Sequence, residues 1–325
     1  MDDTTMDVTT WLLQGPAWVR YLTRRDLLGS APTDKALAID RQAMLDDPQV
    51  GTLVVALQNW QGEVMKNHKA AGHPMHKLNF VADLGLRAGD PGMDKVIEQV
   101  MAHPSPEGPF ALLSNYPTVF GGSGQDEWLW ALCDAPNLVS ALIRFGLGDH
   151  PQVQRAVDHL TGLVQENGWR CSASPLLGKF RGPGKKEDPC PYANLVMLKA
   201  LGQTESGRTS PAARSGVEAI LTLWQERRDR AAYLFKMGTD FCKLKAPLVW
   251  YDLLHVLDTL SRFPACKGDP RLREMVDQLT GKMASDGRCT PESVWTAWKD
   301  WEFGQKKAPS YFITFLAHRI IKRVS

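Results

Sequence analysis

Six segments of this chain share one plan: a proline, then an apolar helical pattern of roughly ten to fifteen residues. They open at Pro16, Pro74, Pro136, Pro191, Pro247 and Pro309, at intervals of 58, 62, 55, 56 and 62 residues. The sixth residue after each proline is Leu22, Phe80, Leu142, Met197, Leu253 or Phe315, apolar every time. Proline is accepted in a first helical turn, where its missing N–H would have had no partner. Each proline therefore marks a helix start, and a period of this length marks a repeat architecture.

Between these helices a second helical pattern runs into a turn. Leu53–Gln58 leads to Asn59-Trp60-Gln61-Gly62, Val96–Met101 to Gly108, and Val276–Met283 to Gly287. Val157, Leu160 and Val164 lead to Gln165-Glu166-Asn167-Gly168-Trp169, while Val217–Trp224 ends without the glycine. Apolar spacing of three to four followed by glycine reads as a helix with a C-cap. Thr52–Leu57 has strand-like residues, but its helical context wins, and no segment reads as a convincing strand. Val139–Phe145 and Leu195–Leu201 are apolar on most sides, as buried helices are. The unit is an outer helix, a Gly/Trp turn, a loop and a proline-started inner helix. Six such hairpins that each need a neighbour either stack as an open solenoid or close into a ring; closure removes two exposed ends and is favoured. The expectation is one all-α domain over residues 1–325, an α/α-toroid.

Composition excludes some functions. A net charge of +2 implies no strong electrostatic partner and no nucleic acid. The basic spots Arg24-Arg25, Lys185-Lys186, Lys306-Lys307 and Lys322-Arg323 read as solvated faces or helix ends. No apolar run reaches the ~18 residues of a membrane span, so no stable membrane insertion is expected. Met1–Thr5 lacks the apolar core of a signal peptide, and the six cysteines have no paired spacing. Together these point to a reduced, cytoplasmic protein. The sequence leaves the oligomeric state open.

The turn Leu160 to Trp169 resembles the Gln-Trp repeat motif of squalene and other terpene cyclases. The repeat length and the proline-started second helix are similar to the α/α-toroid those enzymes share with protein prenyltransferase β subunits. The likeness spans about Val8 to Val324. It is nearest to uncharacterised bacterial members with similar Asp188-Pro189-Cys190-Pro191 and Phe303-Gly304-Gln305-Lys306-Lys307 stretches. The resemblance implies an apolar, isoprenoid-like small molecule in a central cavity, worked on by a cyclase, lyase or transferase. Protein prenyltransferases bind zinc with Asp-x-Cys and a later His. Asp188 and Cys190 match the first two, and Asp240 and Cys242 have the same spacing. No histidine stands in the first turn after Pro247 or Pro309; His255 and His318 lie deeper. The Asp-x-Asp-Asp acid motif of class II cyclases is absent. Linalool dehydratase-isomerase, another toroid enzyme, is similar in combining two cysteines, a histidine and an aspartate around an apolar cavity.

In a toroid the loops entering the inner helices meet at one mouth. That reasoning gathers His73, His76, Cys133, Asp134, Cys171, Asp188, Cys190, Lys245, Trp250–Asp252, Lys306, Lys307 and Tyr311. His73 and His76, three apart, share a helical face. With Cys133, Asp188 and Cys190 they form a candidate metal set whose thiolates and imidazoles suit zinc; otherwise no cofactor is implied. Asp134, Cys171, Tyr251 and Asp252 are the candidate catalytic groups, with a buried carboxyl kept neutral as proton donor. The plainer alternatives are caps for Asp188 and Asp252 and a small buried residue for Cys190. Trp295, Trp298 and Trp301 read as packing, with a cavity lid as the alternative. Gly121–Gly124 reads as a flexible loop without the Gly-Lys-Ser/Thr of a phosphate cradle. Against the enzyme stands a second class, a non-catalytic binding or scaffold protein using the toroid surface. Polar groups meeting within ~4 Å above an open cavity favour the first.

Overall fold

The computed structural model describes residues 7–60, 62–178, 180, 182, 185, 187–229 and 235–325. Met1–Thr5, Gln61 and Lys186, read above, lie outside the described residues. Among the described residues the chain is all-α apart from one hairpin. Its helices are α1 (Val8–Leu12), α2 (Ala17–Leu22), α3 (Lys35–Leu45), α4 (Pro48–Leu57), α5 (Pro74–Leu84), α6 (Met93–Met101), α7 (Ala135–Leu142) and α8 (Pro151–Gly162). There follow α9 (Pro191–Leu201), α10 (Glu205–Thr209), α11 (Pro211–Gln225), α12 (Thr239–Cys242), α13 (Leu253–Leu260), α14 (Pro270–Thr280) and α15 (Tyr311–Val324). π-Helical turns at Thr23–Leu28 and Ile143–Leu147 extend α2 and α7.

The six repeats correspond to α2, α5, α7, α9, α13 and α15. Every residue of α7, α9 and α13 is buried, as their all-round apolar sequences demand. α5 packs on α7, α7 on α9, α9 on α13, α13 on α15, and α15 on α2. Trp18 of α2 meets Phe80 of α5 edge-on at 6.1 Å. Each of these helices also has a partner: α2 with α3, α5 with α4, α7 with α8, α9 with α11, α13 with α14 and α15 with α1.

Two expectations change. Pro247 does not start a helix: α13 begins at Leu253, where the Asp252 side chain accepts the His255 N–H at 3.1 Å. Trp250–Asp252 therefore precede the helix. A hairpin is also present, β1 (Leu112–Asn115) paired antiparallel with β2 (Asp126–Leu129), and Gly121–Gly124 belongs to its connection. Four-residue strands carry too little alternation to stand out from a helical background.

The three tryptophans of the last loop are packing. Trp298 is buried, donates its indole N–H to the Ala71 carbonyl at 2.8 Å, and with Trp301 and Phe303 surrounds Phe80. This aromatic mass fills the space between α2, α5 and α15. Open volume remains on the α7–α9 side.

Candidate functional site

The Gly168-Trp169 turn explains how two cysteines 19 positions apart are brought together. Gly168 has φ +100°, and a Cβ there would come within 2.5 Å of the Asn194 side chain. The close approach lets Asn194 clamp the turn: its Oδ1 accepts the Trp169 N–H at 3.0 Å and its Nδ2 donates to the Trp169 carbonyl at 2.8 Å. The Trp169 indole is buried and donates to Leu160 at 2.9 Å. The Cys190 N–H donates to the Trp169 carbonyl at 2.8 Å. Cys171, two residues past the tryptophan, is thereby set beside Cys190 at the start of α9, and both line one cavity.

Neighbouring loops join by backbone pairing. Leu132 N–H donates to Ser172 O and Ser174 N–H to Trp130 O, linking the Cys171 loop to the Cys133 loop. Met65 exchanges bonds with Leu113 and Asn115 of β1, which places the His68 loop next to Tyr116. The result is a cavity of about 380 Å³ at the N-terminal ends of α7 and α9. His68, Tyr116, Cys133, Cys171 and Cys190 line it with Phe120, Phe180, Tyr192, Phe235 and Trp250, so its walls are largely apolar and rich in aromatic rings, while Lys66, Asn67 and Lys69 add polar groups.

The polar groups form two sets. In the first, His68 Nε2 lies 2.7 Å from Asp134 Oδ1, and the Tyr116 hydroxyl donates to Asp134 Oδ2 at 2.8 Å. Cys133 Sγ lies 3.6 Å from the Tyr116 oxygen and 3.9 Å from Asp134 Oδ2. Asp134 is fully buried immediately before α7, and its side chain does not cap the helix. Burial disfavours its charge, yet His68 and Tyr116 hold its pKa below the usual carboxylate value. Burial also opposes the His68 imidazolium, but Asp134 outweighs it and keeps His68 well above the usual histidine range. Burial and the Asp134 charge push the Tyr116 phenol and the Cys133 thiol up. The set is an imidazolium–carboxylate pair with two neutral donors. His68, Cys133 and Asp134 each offer one ligand atom, all within 4.8 Å of one another, so they could also hold a metal ion.

In the second set, the neighbouring Cys171 thiol lowers the pKa of Cys190. Burial opposes this, and the Tyr192 and Ala193 N–H groups of the α9 start assist it. Cys171, bonded to Cys190 and buried, is pushed up. Cys190 is therefore the more acidic thiol of the pair.

Cys133, Asp134, Cys171 and Cys190 belong to this site; other residues named from the sequence do not. His73 accepts the Met75 N–H at 3.1 Å and its Nε2 faces the Glu63 carbonyl at 3.3 Å. His76 Nε2 meets the His68 carbonyl at 2.8 Å. Burial lowers the pKa of both, that of His76 to about 3. Rather than ligating metal with the cysteines, they are neutral: His73 caps α5 and His76 holds the His68 loop. Asp188 lines a separate cleft with Glu166 and Glu218. Tyr251 is buried, its hydroxyl 3.8 Å from the Met237 sulfur, and Asp252 caps α13. Lys245 is not a solvated lysine: it is buried 4.0 Å from Asp252, with its ammonium 4.5 Å from the Trp295 ring centroid. Tyr311 stacks on Trp11 at 4.1 Å.

His68 and Tyr116 were not legible from spacing. Both sit on connecting segments outside the helical repeat. The one available signal was that His68 lies in the short loop six residues ahead of the repeat proline Pro74.

Among the described residues no helix is long and apolar enough to cross a membrane. No protein-family model matches the chain, and no curated protein matches it in sequence. The crystal structure of a protein from Actinoplanes is similar at 16% identity over 95% of this chain and 88% of that one, with a TM-score of 0.43. A likeness of that size transfers no function to this chain.

Proposed function

We propose that this protein is an acid–base enzyme of lyase or isomerase type, acting on a small apolar, isoprenoid-like alcohol or alkene. The six inner helices form a closed α/α ring around its site. The observation that carries the reading is the meeting of the Cys171–Cys190 pair and the His68–Asp134 pair in one aromatic-walled cavity. Such cavities take small apolar ligands and fix them with a few polar groups. Contacts of 2.7 to 3.9 Å among His68, Asp134, Tyr116 and Cys133 support catalysis over a scaffold role.

The residues divide an elimination between them. His68 gives its proton to the substrate hydroxyl as the C–O bond breaks, and the oxygen leaves with the bonding pair as water. The Cys190 thiolate takes the proton from the adjacent carbon, whose C–H pair becomes the new double bond. The proton returns from Cys190 to His68 between turnovers. Asp134 and Tyr116 hold the imidazole, and Cys171 stabilises the thiolate. Hydration is the same path reversed.

The test is turnover of a panel of short-chain allylic alcohols and dienes, read by gas chromatography. The wild type converts at least one of them. Cys190→Ala and His68→Ala each lose roughly a hundredfold or more, the scale of one general acid or base. Asp188→Ala retains full rate. Undiminished turnover in the first two variants would sink the assignment.

A second reading rests on the 4.8 Å grouping of His68, Cys133 and Asp134. Three protein ligands and an open position suit catalytic zinc, which would act as a Lewis acid. Zinc retained by tag-free wild-type protein and lost from Cys133→Ala would replace the imidazolium acid with a metal.

A further inference from the structure

A second pocket, of about 270 Å³, lies at the other ends of the same helices. It is lined almost wholly by polar atoms, including those of Arg25, Arg87, Arg144, Arg262, Arg319 and Arg323. They follow or close α2, α5, α7, α13 and α15. We propose that this arginine pocket is a binding site for a phosphoryl or diphosphoryl group of a soluble small molecule.

The charge balance requires an anion. Asp26 pairs with Arg25 and Arg319. Asp258 pairs with Arg262, Arg319 and Arg323. Asp83 pairs with Arg144, with Lys199 at 3.8 Å. Six cations thus share three carboxylates, and Arg87 at the exposed rim adds a seventh. The Lys199 ammonium is buried without a hydrogen bond. Burial, joined by Arg262 and Arg319, pulls Arg323 down to about 9. Burial and the same two arginines also lower Arg144. Guanidinium groups pressed together in this way gain from a shared oxyanion, which they bind bidentately.

Helix capping does not account for the cluster. Helix C-termini attract cations, and Arg262 and Arg323 do bond the Asp258 carbonyl, at 3.2 Å each. The side chains of Arg25, Arg87 and Arg144 are bonded to no helix carbonyl among the described residues; Arg25 and Arg144 go to carboxylates. The site is separate from the thiol cavity and independent of its chemistry.

The experiment is calorimetric titration of the full chain with pyrophosphate in metal-free buffer, with ionic strength held constant by chloride. Saturable one-to-one binding is expected, weakened roughly tenfold in Arg87→Ala and in Arg262→Ala, as for loss of one charge-assisted hydrogen bond. Arg87 is exposed and its side chain has no partner among the described residues, so its removal leaves the fold intact; an unchanged melting temperature checks this. Absence of saturable binding at millimolar pyrophosphate, or affinity unchanged from the wild type in both variants, would overturn the proposal and leave the arginines as structural ion pairs.

Discussion

Asp252 shows how one buried side chain makes stability depend on pH. It is fully buried, with Oδ1 capping α13 and Oδ2 without a hydrogen bond; Lys245 stands 4.0 Å away. Burial pushes its carboxyl up to about 7, Lys245 and the His255 N–H opposing. The folded chain therefore keeps this proton at pH values where the unfolded chain has lost it. The stabilisation is fully present below about pH 4 and is lost as the pH rises through 7. Asp252→Asn stays neutral and keeps the cap. The unfolding free energy of the wild type minus that of the variant should fall by up to about 4 kcal/mol between pH 4 and 7.5, at about 1.4 kcal/mol per unit. Urea denaturation across that range measures it, and a flat difference would mean that Asp252 is ionised throughout. At this scale the sequence was only partly informative. Asp134 and Asp252 each begin an inner helix, yet one faces His68 and Tyr116 while the other caps. They are the same residue type, each one position before its helix, and the loops packed over them separate the two roles.

At the scale of elements, the join between α8 and α9 both stabilises the fold and makes the thiol pair. The motif Gln165 to Trp169 was readable because a turn glycine and a tryptophan recur at helix ends. The role of Asn194 was not, since a polar residue inside an apolar helix announces only that it must find partners. Asn194→Leu removes the acceptor of the Trp169 N–H and leaves it buried. That costs about 1–3 kcal/mol and frees the Cys171 loop from α9. Cys190 then loses the S–H donor that favours its thiolate. Iodoacetamide labelling of Cys190 near neutral pH, followed by peptide mass spectrometry, should slow severalfold in the variant. Lower stability with unchanged labelling would mean that the clamp does not govern the thiol. The hairpin β1–β2 and the arginine pocket escaped the sequence for related reasons. The strands are four residues long, and the arginines stand at different distances beyond each repeat proline, so no period reports them. Arg25 and Arg323 even read as parts of solvated basic spots.

For the whole molecule, the decisive question is whether six hairpins close. An open stack tolerates loss of its last unit, because each repeat leans only on its neighbours. A ring does not. α15 packs on α13, on α14 and on α2 across the first-to-last junction. It carries Phe312 into the aromatic mass around Trp18 and Phe80. It also supplies Arg319 and Arg323 to Asp258, a carboxylate that they and Arg262 hold well below its usual pKa against the cost of burial. Removing the partners of a buried charge costs about 3–5 kcal/mol, and the apolar surface uncovered on α2 and α13 adds to it. That sum is comparable to the entire stability of a typical domain. A chain ending at residue 310 should therefore show no cooperative urea transition by circular dichroism. An open stack would keep a cooperative transition with a lower midpoint and a smaller slope, because less surface is exposed on unfolding. The second result would remove the ring, and with it the reason for the cysteine cavity and the arginine pocket to lie at opposite ends of one set of helices.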